Sequence, residues 1–332
     1  MLGMRTWMAA VSFGAACWFG PGAAAFQISP GVDPAVLIQP RERPRPPAPA
    51  SVKPLLRIDS SLVLIPVHVT DSIGKPITGL SAKNFHVFED RVEQEVATIL
   101  TEDAPVSIGF LFDASGSMRT KMKKASEAAA AFFRTTNPQD EFFLIQFNDR
   151  ARLMEPFTTN SDLVYQQISH TRPSGRTTLM DAVYMAVGQM KKARHTRKAL
   201  VILSDGGDNW SRRSEREVRS VLIESDVQVY AMGIFDSDLA VKHPEEERNG
   251  PRLLDAITEL TGGRHYPVSS IDQLPEISEK IGRELRSQYV LGYYSTNPEN
   301  DGKYRQVVVK VEALNARGLR LYYRRGYYAP AD

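Results

Sequence analysis

The chain has 332 residues, 42% hydrophobic and 24% charged, a composition of globular protein in about two domains. Its formal charge of +2 argues against nucleic acid or an acidic membrane surface as the main partner. The single cysteine, Cys17, excludes an internal disulfide and a multi-thiolate metal site.

Residues 1–25 read as an export signal. Arg5 precedes an apolar stretch from Trp7 to Phe19, and Ala23-Ala24-Ala25 forms an A-x-A type cleavage site before Phe26. A retained anchor is the alternative, but Gly14, Gly20 and Pro21 interrupt a run already short of the ~20 residues that a span needs. Cys17 as a lipid acceptor is a further alternative, although Gly14 stands where lipoprotein signals usually carry Leu. No later segment is long and apolar enough to span a bilayer. The mature chain is expected in the periplasm, at the cell surface or outside the cell, held together by core burial alone.

Residues 26–55 form a linker. Its segment QPRERPRPPAPASVKP, Gln39–Pro54, favours extended polyproline II. Residues 56–103 read as strands. LRIDSSLVLIPVHVTD is rich in β-branched residues, and Pro66 points to an edge strand or bulge. NFHVFEDRVEQEVATILTED reads as strand, turn at Glu89-Asp90-Arg91, and strand.

Residues 104–288 alternate strands with helices. Val106–Phe112 is a continuous apolar run, as in a strand buried on both faces. A helix over about Lys121–Thr135 stops before Asn137-Pro138. Phe142–Phe147 is a strand, and Ser161 is expected to cap a helix reaching about His170. Leu179–Ala193 is a helix, Ala199–Leu203 a strand, Glu215–Ser225 a helix and Val227–Ile234 a strand. The stretch DSDLAVKHPEEERNG, Asp236–Gly250, reads as a long solvated loop, with ligand selection as the sharper alternative. Arg252–Leu260 is a helix, His265–Val268 a short strand and Leu274–Arg286 the last helix. Such repeats imply a doubly wound, mostly parallel sheet with helices on both faces, an α/β fold that takes ligands at its strands' carboxyl ends.

Residues 289–330 return to strand: QYVLGYYS, YRQVVVKVEA and LRLYYRRGYYA, with a turn at Asn297–Gly302. They are expected to pair with residues 56–103, so that both flanks build one β-rich domain around the α/β domain. Alternation sends one tyrosine of each adjacent pair (Tyr293-Tyr294, Tyr322-Tyr323, Tyr327-Tyr328) inward.

Three strand ends carry oxygen. FLFDASGSM places Asp113, Ser115 and Ser117 at alternating positions. SGRTTLMDAV places Thr177 at a helix start, and LVILSDGGDN places Asp205 after a buried strand. Helix capping explains each loop taken alone. Together they converge at one sheet edge as an all-oxygen set of two carboxylates and three hydroxyls, suited to a hard divalent cation, above all Mg²⁺. With only two carboxylates the ion keeps its electrophilicity, and an external carboxylate can fill an open position. Asp208, near Asp205, reads as a turn or cap residue.

These motifs resemble those of the von Willebrand factor type A domain: FLFDASGSM, the Thr177 of GRTTLMDA and the Asp205 of VILSDGGDN occupy its metal-ion-dependent adhesion site. The resemblance covers roughly Val106–Arg286. It implies Mg²⁺, with Mn²⁺ or Ca²⁺ as alternatives, ligand roles for Ser115, Ser117 and Thr177, and roles often exerted through water or hydroxyls for Asp113 and Asp205. The flanks are similar to a bacterial secreted subgroup, the VWFA-related acidobacterial domain proteins. Two departures stand out. Arg176 replaces a Gly found in many relatives, where it crowds the metal or greets an acidic ligand. Arg91 replaces a hairpin Gly. Arg176 and Asp208 are candidates for contacting a partner.

No nucleotide-binding, nucleophile-elbow or zinc-protease motif is present, and the six histidines lack metal-ligand spacing. The basic run Lys191–Lys198 fits a helix C-terminus better than a nucleic-acid site. The chain therefore reads as a non-enzymatic exported module that binds the exposed Asp or Glu of a partner protein through a cation. A structural module of the cell envelope and a metal-assisted serine hydrolase are the alternatives.

Overall fold

The computed structural model describes residues 62–101, 104–235, 244–312 and 318–331, all within the compact unit Leu56–Asp332. The expected export signal, the Pro-rich linker and residues 56–61 lie outside the described residues. In chain order the first strands are β1 (Leu62–Thr70), β2 (Phe85–Glu89), β3 (Val92–Gln94) and β4 (Val96–Thr101). The central run is β5 (Val106–Asp113), α1 (Met122–Phe133), β6 (Glu141–Phe147), β7 (Ala151–Thr158), α2 (Ser161–Ser169), α3 (Leu179–Met190), β8 (Arg197–Ser204), α4 (Glu215–Glu224), β9 (Val227–Ile234), α5 (Pro244–Leu260), β10 (His265–Val268) and α6 (Leu274–Arg286). The last strands are β11 (Tyr289–Tyr294), β12 (Tyr304–Val311), β13 (Arg320–Tyr323) and β14 (Gly326–Tyr328).

The central sheet runs in the order β10-β9-β8-β5-β6-β7. Every pairing is parallel except β6 with β7. Strand alternation decides what lies on each face. Ile108, Phe110 and Phe112 of β5 pack with Ala128, Phe132, Val164, Ile281 and Leu285, so α1, α2 and α6 cover one face. Leu111, with Leu200 and Ile202 of β8, packs against Val183, Leu222 and Leu254, so α3, α4 and α5 cover the other. Burial on both faces is why these strands read as unbroken apolar runs.

The flanking strands form two antiparallel sheets, β13-β1-β11-β4 and β14-β12-β2-β3. Their apolar residues share one core, in which Val63, Ile65, Val67 and Val69 of β1 and Leu291 of β11 cluster with Val87 and Val307 of the other sheet. Chain-terminal strands do pair with the N-terminal ones, as the sequence implied. The tyrosine alternation holds as well: Tyr293 is fully buried while Tyr294 is 51% exposed. The Tyr293 and Tyr327 hydroxyls donate to Glu89 Oε2 at 2.9 and 2.8 Å, and the Ser295 hydroxyl donates to Oε1 at 2.5 Å. These bonds satisfy a buried carboxylate that would otherwise be costly.

Several local expectations need correction. Pro66 lies in β1, an inner strand; it pairs with Val290 on one side, and β13 covers only Val67–Thr70 on the other, so its missing N–H breaks no ladder there. The strand expected after the Glu89 turn divides: β3 stays in the hairpin with β2, and β4 crosses to pair with β11. The tail LRLYYRRGYYA divides too, β13 joining β1 and β14 joining β12. β7 is an antiparallel edge strand whose largely exposed residues gave no apolar run. The α2 cap is Asn160, whose side chain accepts from the Asp162 N–H, and Ser161 is the first helical residue. α3 ends at Met190 rather than Ala193, and α5 begins at Pro244, so the second part of the expected 236–250 loop is helix. Residues 236–243 lie outside the described residues.

A buried polar cluster lies where α6 meets β1. Glu284 accepts from Arg264 Nη1 at 2.7 Å and from the Tyr266 hydroxyl. His68 is fully buried, and neither ring nitrogen has a hydrogen-bond partner. Its Nε2 is 3.8 Å from Glu284 Oε1, too long for a hydrogen bond. Burial, then the charges of Arg264 and Lys280, push the His68 imidazole down to about 4 from 6.5. A depressed folded value contributes stability that is present above pH 6.5 and is lost as pH falls toward 4. Between pH 7.5 and 5 this loss amounts to about 2 kcal/mol. Urea unfolding at the two pH values should show a loss smaller by about that amount for His68→Leu; equal losses would refute the assignment.

Asp90 and Arg91 form a two-residue hairpin turn with φ of 46° and 73°. A long side chain in that region costs on the order of 1–2 kcal/mol. Arg91→Gly is expected to raise stability by about 1 kcal/mol, less any entropy gained by the unfolded chain. Denaturant midpoints compare the two, and an unchanged or lower midpoint counts against strain at this turn.

Candidate metal centre

The sheet topology brings the three oxygen-bearing loops to one edge. β5 and β8 are parallel neighbours, so Asp113 and Ser204 end side by side, and the Ser204 hydroxyl donates to Asp113 Oδ2 at 2.5 Å. The loop after β5 is tied to the segment before α3: Ser174 N–H donates to Ala114 O at 2.9 Å and Gly116 N–H to Gly175 O at 3.0 Å. That segment is tied in turn to the loop after β8. Asn209 and Trp210 N–H donate to Thr177 O at 3.2 and 3.1 Å, and Thr177 N–H donates to Asn209 Oδ1 at 3.0 Å. Asp113, Ser115, Ser117, Thr177 and Asp205 thus occupy loops that are hydrogen-bonded to one another.

Asp113 is fully buried. Its Oδ1 accepts the Ser115 N–H at 2.8 Å, so the strand-end carboxylate orients the loop carrying both serines. The Ser115 and Ser117 hydroxyls are 3.0 Å apart, Ser115 buried and Ser117 exposed. Burial raises the Asp113 pKa well above the usual carboxylate range, and Asp205's negative charge adds to this; bonds from Ser115 and Ser204 oppose it. Two neighbouring carboxylates with that electrostatic strain favour a nearby cation.

The donor set fits a hard ion. Octahedral Mg²⁺ with oxygens at about 2.0–2.1 Å has adjacent donors about 2.9 Å apart, close to the 3.0 Å between the serine hydroxyls. Among the described residues no cluster of three His, Cys, Asp or Glu side chains is arranged for a metal. Gly206 makes the turn after Asp205 with φ of 79°, and a Cβ there would lie 2.9 Å from Gly250 Cα on α5.

The two departures flanking the site behave differently. The exposed Arg176 guanidinium stacks 3.7 Å over the Trp210 ring, and the Arg176 backbone N–H donates to Asp149 Oδ1 at 2.9 Å. Asp208 is half-buried, and its Oδ1 accepts the Ser211 N–H at 3.2 Å, as a turn residue does. Burial raises its pKa, against those hydrogen bonds.

Sequence reasoning passed over three contributors. Ser204 directly precedes Asp205, and its signal was a hydroxyl at a strand end. Trp210 is 52% exposed at the rim. Lys121, read only as the start of a helix, is buried with its ammonium 3.6 Å from Asp205 Oδ2; nothing in the local pattern distinguishes it from the lysines that follow.

Residues 108–207 match the family model of the von Willebrand factor type A domain. No curated protein matches the chain. Among solved structures the chain is similar to a von Willebrand factor type A protein from Catenulispora acidiphila, at 13% identity and TM-score 0.49 over 82% of this chain and 73% of that one. It is similar to the vWF domain of the type V pili tip protein Mfa5 from Porphyromonas gingivalis, at 12% identity and TM-score 0.46 over 55% and 95%. A third likeness is to proximal thread matrix protein 1 from the mussel byssus, solved with a zinc-occupied MIDAS motif, at 20% identity and TM-score 0.47 over 60% and 50%. The family match runs from Ile108 in β5 to Gly207 just past Asp205, so it takes in all three strand-end loops and leaves the flanking sandwich strands outside. Over residues 108–207 the α/β part of this chain is thus similar to the von Willebrand factor type A domain.

Proposed function

We propose that this protein is an exported or envelope-associated binding module that captures an acidic group of a partner protein through a divalent cation. Ser115, Ser117 and Thr177 hold the ion directly, while Asp113 and Asp205 supply the negative charge behind it. Bound there, the ion supplies Lewis acidity toward an external carboxylate. The observation that carries the reading is the close pair of serine hydroxyls, aimed by the buried Asp113 carboxylate. Arg176, spread on Trp210, offers its guanidinium edge beside the site to a second acidic group of the partner. Export through residues 1–25 is part of the same proposal. No helix among the described residues is long and apolar enough to cross a membrane.

A serine hydrolase is less well supported. The Ser115 hydroxyl is partnered by Ser117, and no histidine is bonded to either among the described residues, whereas an activated serine needs a base within hydrogen-bond reach.

Calorimetric titration with Mg²⁺ or Mn²⁺ should give saturable binding to the wild type and a loss of at least about tenfold in affinity for Asp113→Ala and for Thr177→Val. Equal heats from all three proteins would dispose of the cation site. Capture of a partner from the native envelope should be abolished by EDTA and restored by excess Mg²⁺; capture indifferent to EDTA would instead favour a structural assembly module.

A further inference from the structure

Lys121 stands four residues after Ser117, directly before α1, and its side chain is 3% exposed. Among the described residues its ammonium meets Asp205 Oδ2 at 3.6 Å and the Ile234 carbonyl at the end of β9 at 3.3 Å. An ammonium carries three donors, and charge-assisted bonds to carboxylate normally close to about 2.7–2.9 Å. Both of these contacts are longer than that. Burying a lysine is costly, and a packing role alone would be met by an apolar side chain of the same length. What distinguishes the position is the carboxylate pair. Asp113 ends β5 bonded to Ser204, the residue directly before Asp205, and Lys121 brings its ammonium to Asp205.

We infer that Lys121 is a built-in competitor of the divalent cation: its ammonium neutralises part of the Asp113–Asp205 charge, stabilising the metal-free fold and weakening metal binding. The inference rests on the proposed cation site. A second positive charge brought to Asp205 meets Lys121 at short range in a water-poor setting, where like charges repel strongly. The loaded site then keeps more positive charge than two carboxylates and a divalent ion would have alone, and an anionic group of the partner offsets it. The lysine thereby makes retention of the ion depend on the ligand, and by reciprocity the ligand on the ion.

The experiment compares the metal-stripped full chain as wild type, Lys121→Met, Lys121→Gln and Lys121→Arg. The Gln variant keeps a donor for the Ile234 carbonyl without charge, and the Arg variant keeps the charge. Each is titrated calorimetrically with Mn²⁺ and unfolded thermally in EDTA and in Mn²⁺. Met and Gln variants should bind Mn²⁺ about tenfold or more tightly than wild type. They should also unfold at lower temperature in EDTA and gain a larger upward shift from Mn²⁺, while the Arg variant stays near wild type. A purely structural lysine would lower the unfolding temperature equally in both media and leave affinity unchanged, which overturns the inference and spares the cation site. Silence from all four proteins overturns both.

Discussion

Two carboxylates set side by side in a protein interior are unstable without positive charge, and the strand-end edge of this protein is organised around that constraint. Asp113 is wholly buried and Asp205 lies close enough to disfavour its ionisation. The structure meets the difficulty in three ways. The Ser115 backbone and the Ser204 hydroxyl donate to Asp113; Lys121 approaches Asp205 from within; and the hydroxyl pair of Ser115 and Ser117 opens toward solvent at a spacing suited to a small ion. The first two stabilise the fold, and the third is where the proposed cation would add exchangeable charge.

The scaffold explains why that edge is stiff enough to hold such an arrangement. Backbone hydrogen bonds lace the 114–117, 174–177 and 205–210 loops together, so displacing one loop means displacing all of them. Behind them β5 and β8 are central strands, buried on both faces and paired on both edges. A site borne by the middle of a sheet inherits the rigidity of the core, which a binding geometry demands.

The sandwich of flanking strands bears on the same body from elsewhere. β11 follows α6 almost directly, and the cluster of His68, Glu284, Arg264 and Tyr266 lies where that helix meets β1. Arg324, just past β13, donates to both Asp226 at 2.5 Å and the Leu64 carbonyl at 2.9 Å. At that junction α6 meets the sandwich through Glu284, whose carboxylate lies 3.8 Å from the buried His68.

Much of this was legible in the residues. Unbroken apolar runs such as Val106–Phe112 announced strands covered on both faces, and the serine–aspartate pattern after β5 announced a loop of aimed oxygens. Parallel connectivity then required those oxygens to leave one edge, because each helical crossover returns the chain to the end where the previous strand began. Local pattern was blind where pairing partners decide the outcome. β7 shows no core face because it lies at the sheet's edge. β3 and β4, like β13 and β14, are split by which sheet each joins, and Pro66 is tolerated because its neighbour strand stops one residue short. Lys121 is the sharpest case. In sequence it is one lysine in a basic helix start; only packing of α1 beneath the β8 and β9 termini places its charge against Asp205. Sequence by itself determined which residues could carry charge and oxygen to a strand end, since that depends on near neighbours; the tertiary structure alone decided which charges face each other, since Coulomb interactions act through space and ignore separation along the chain.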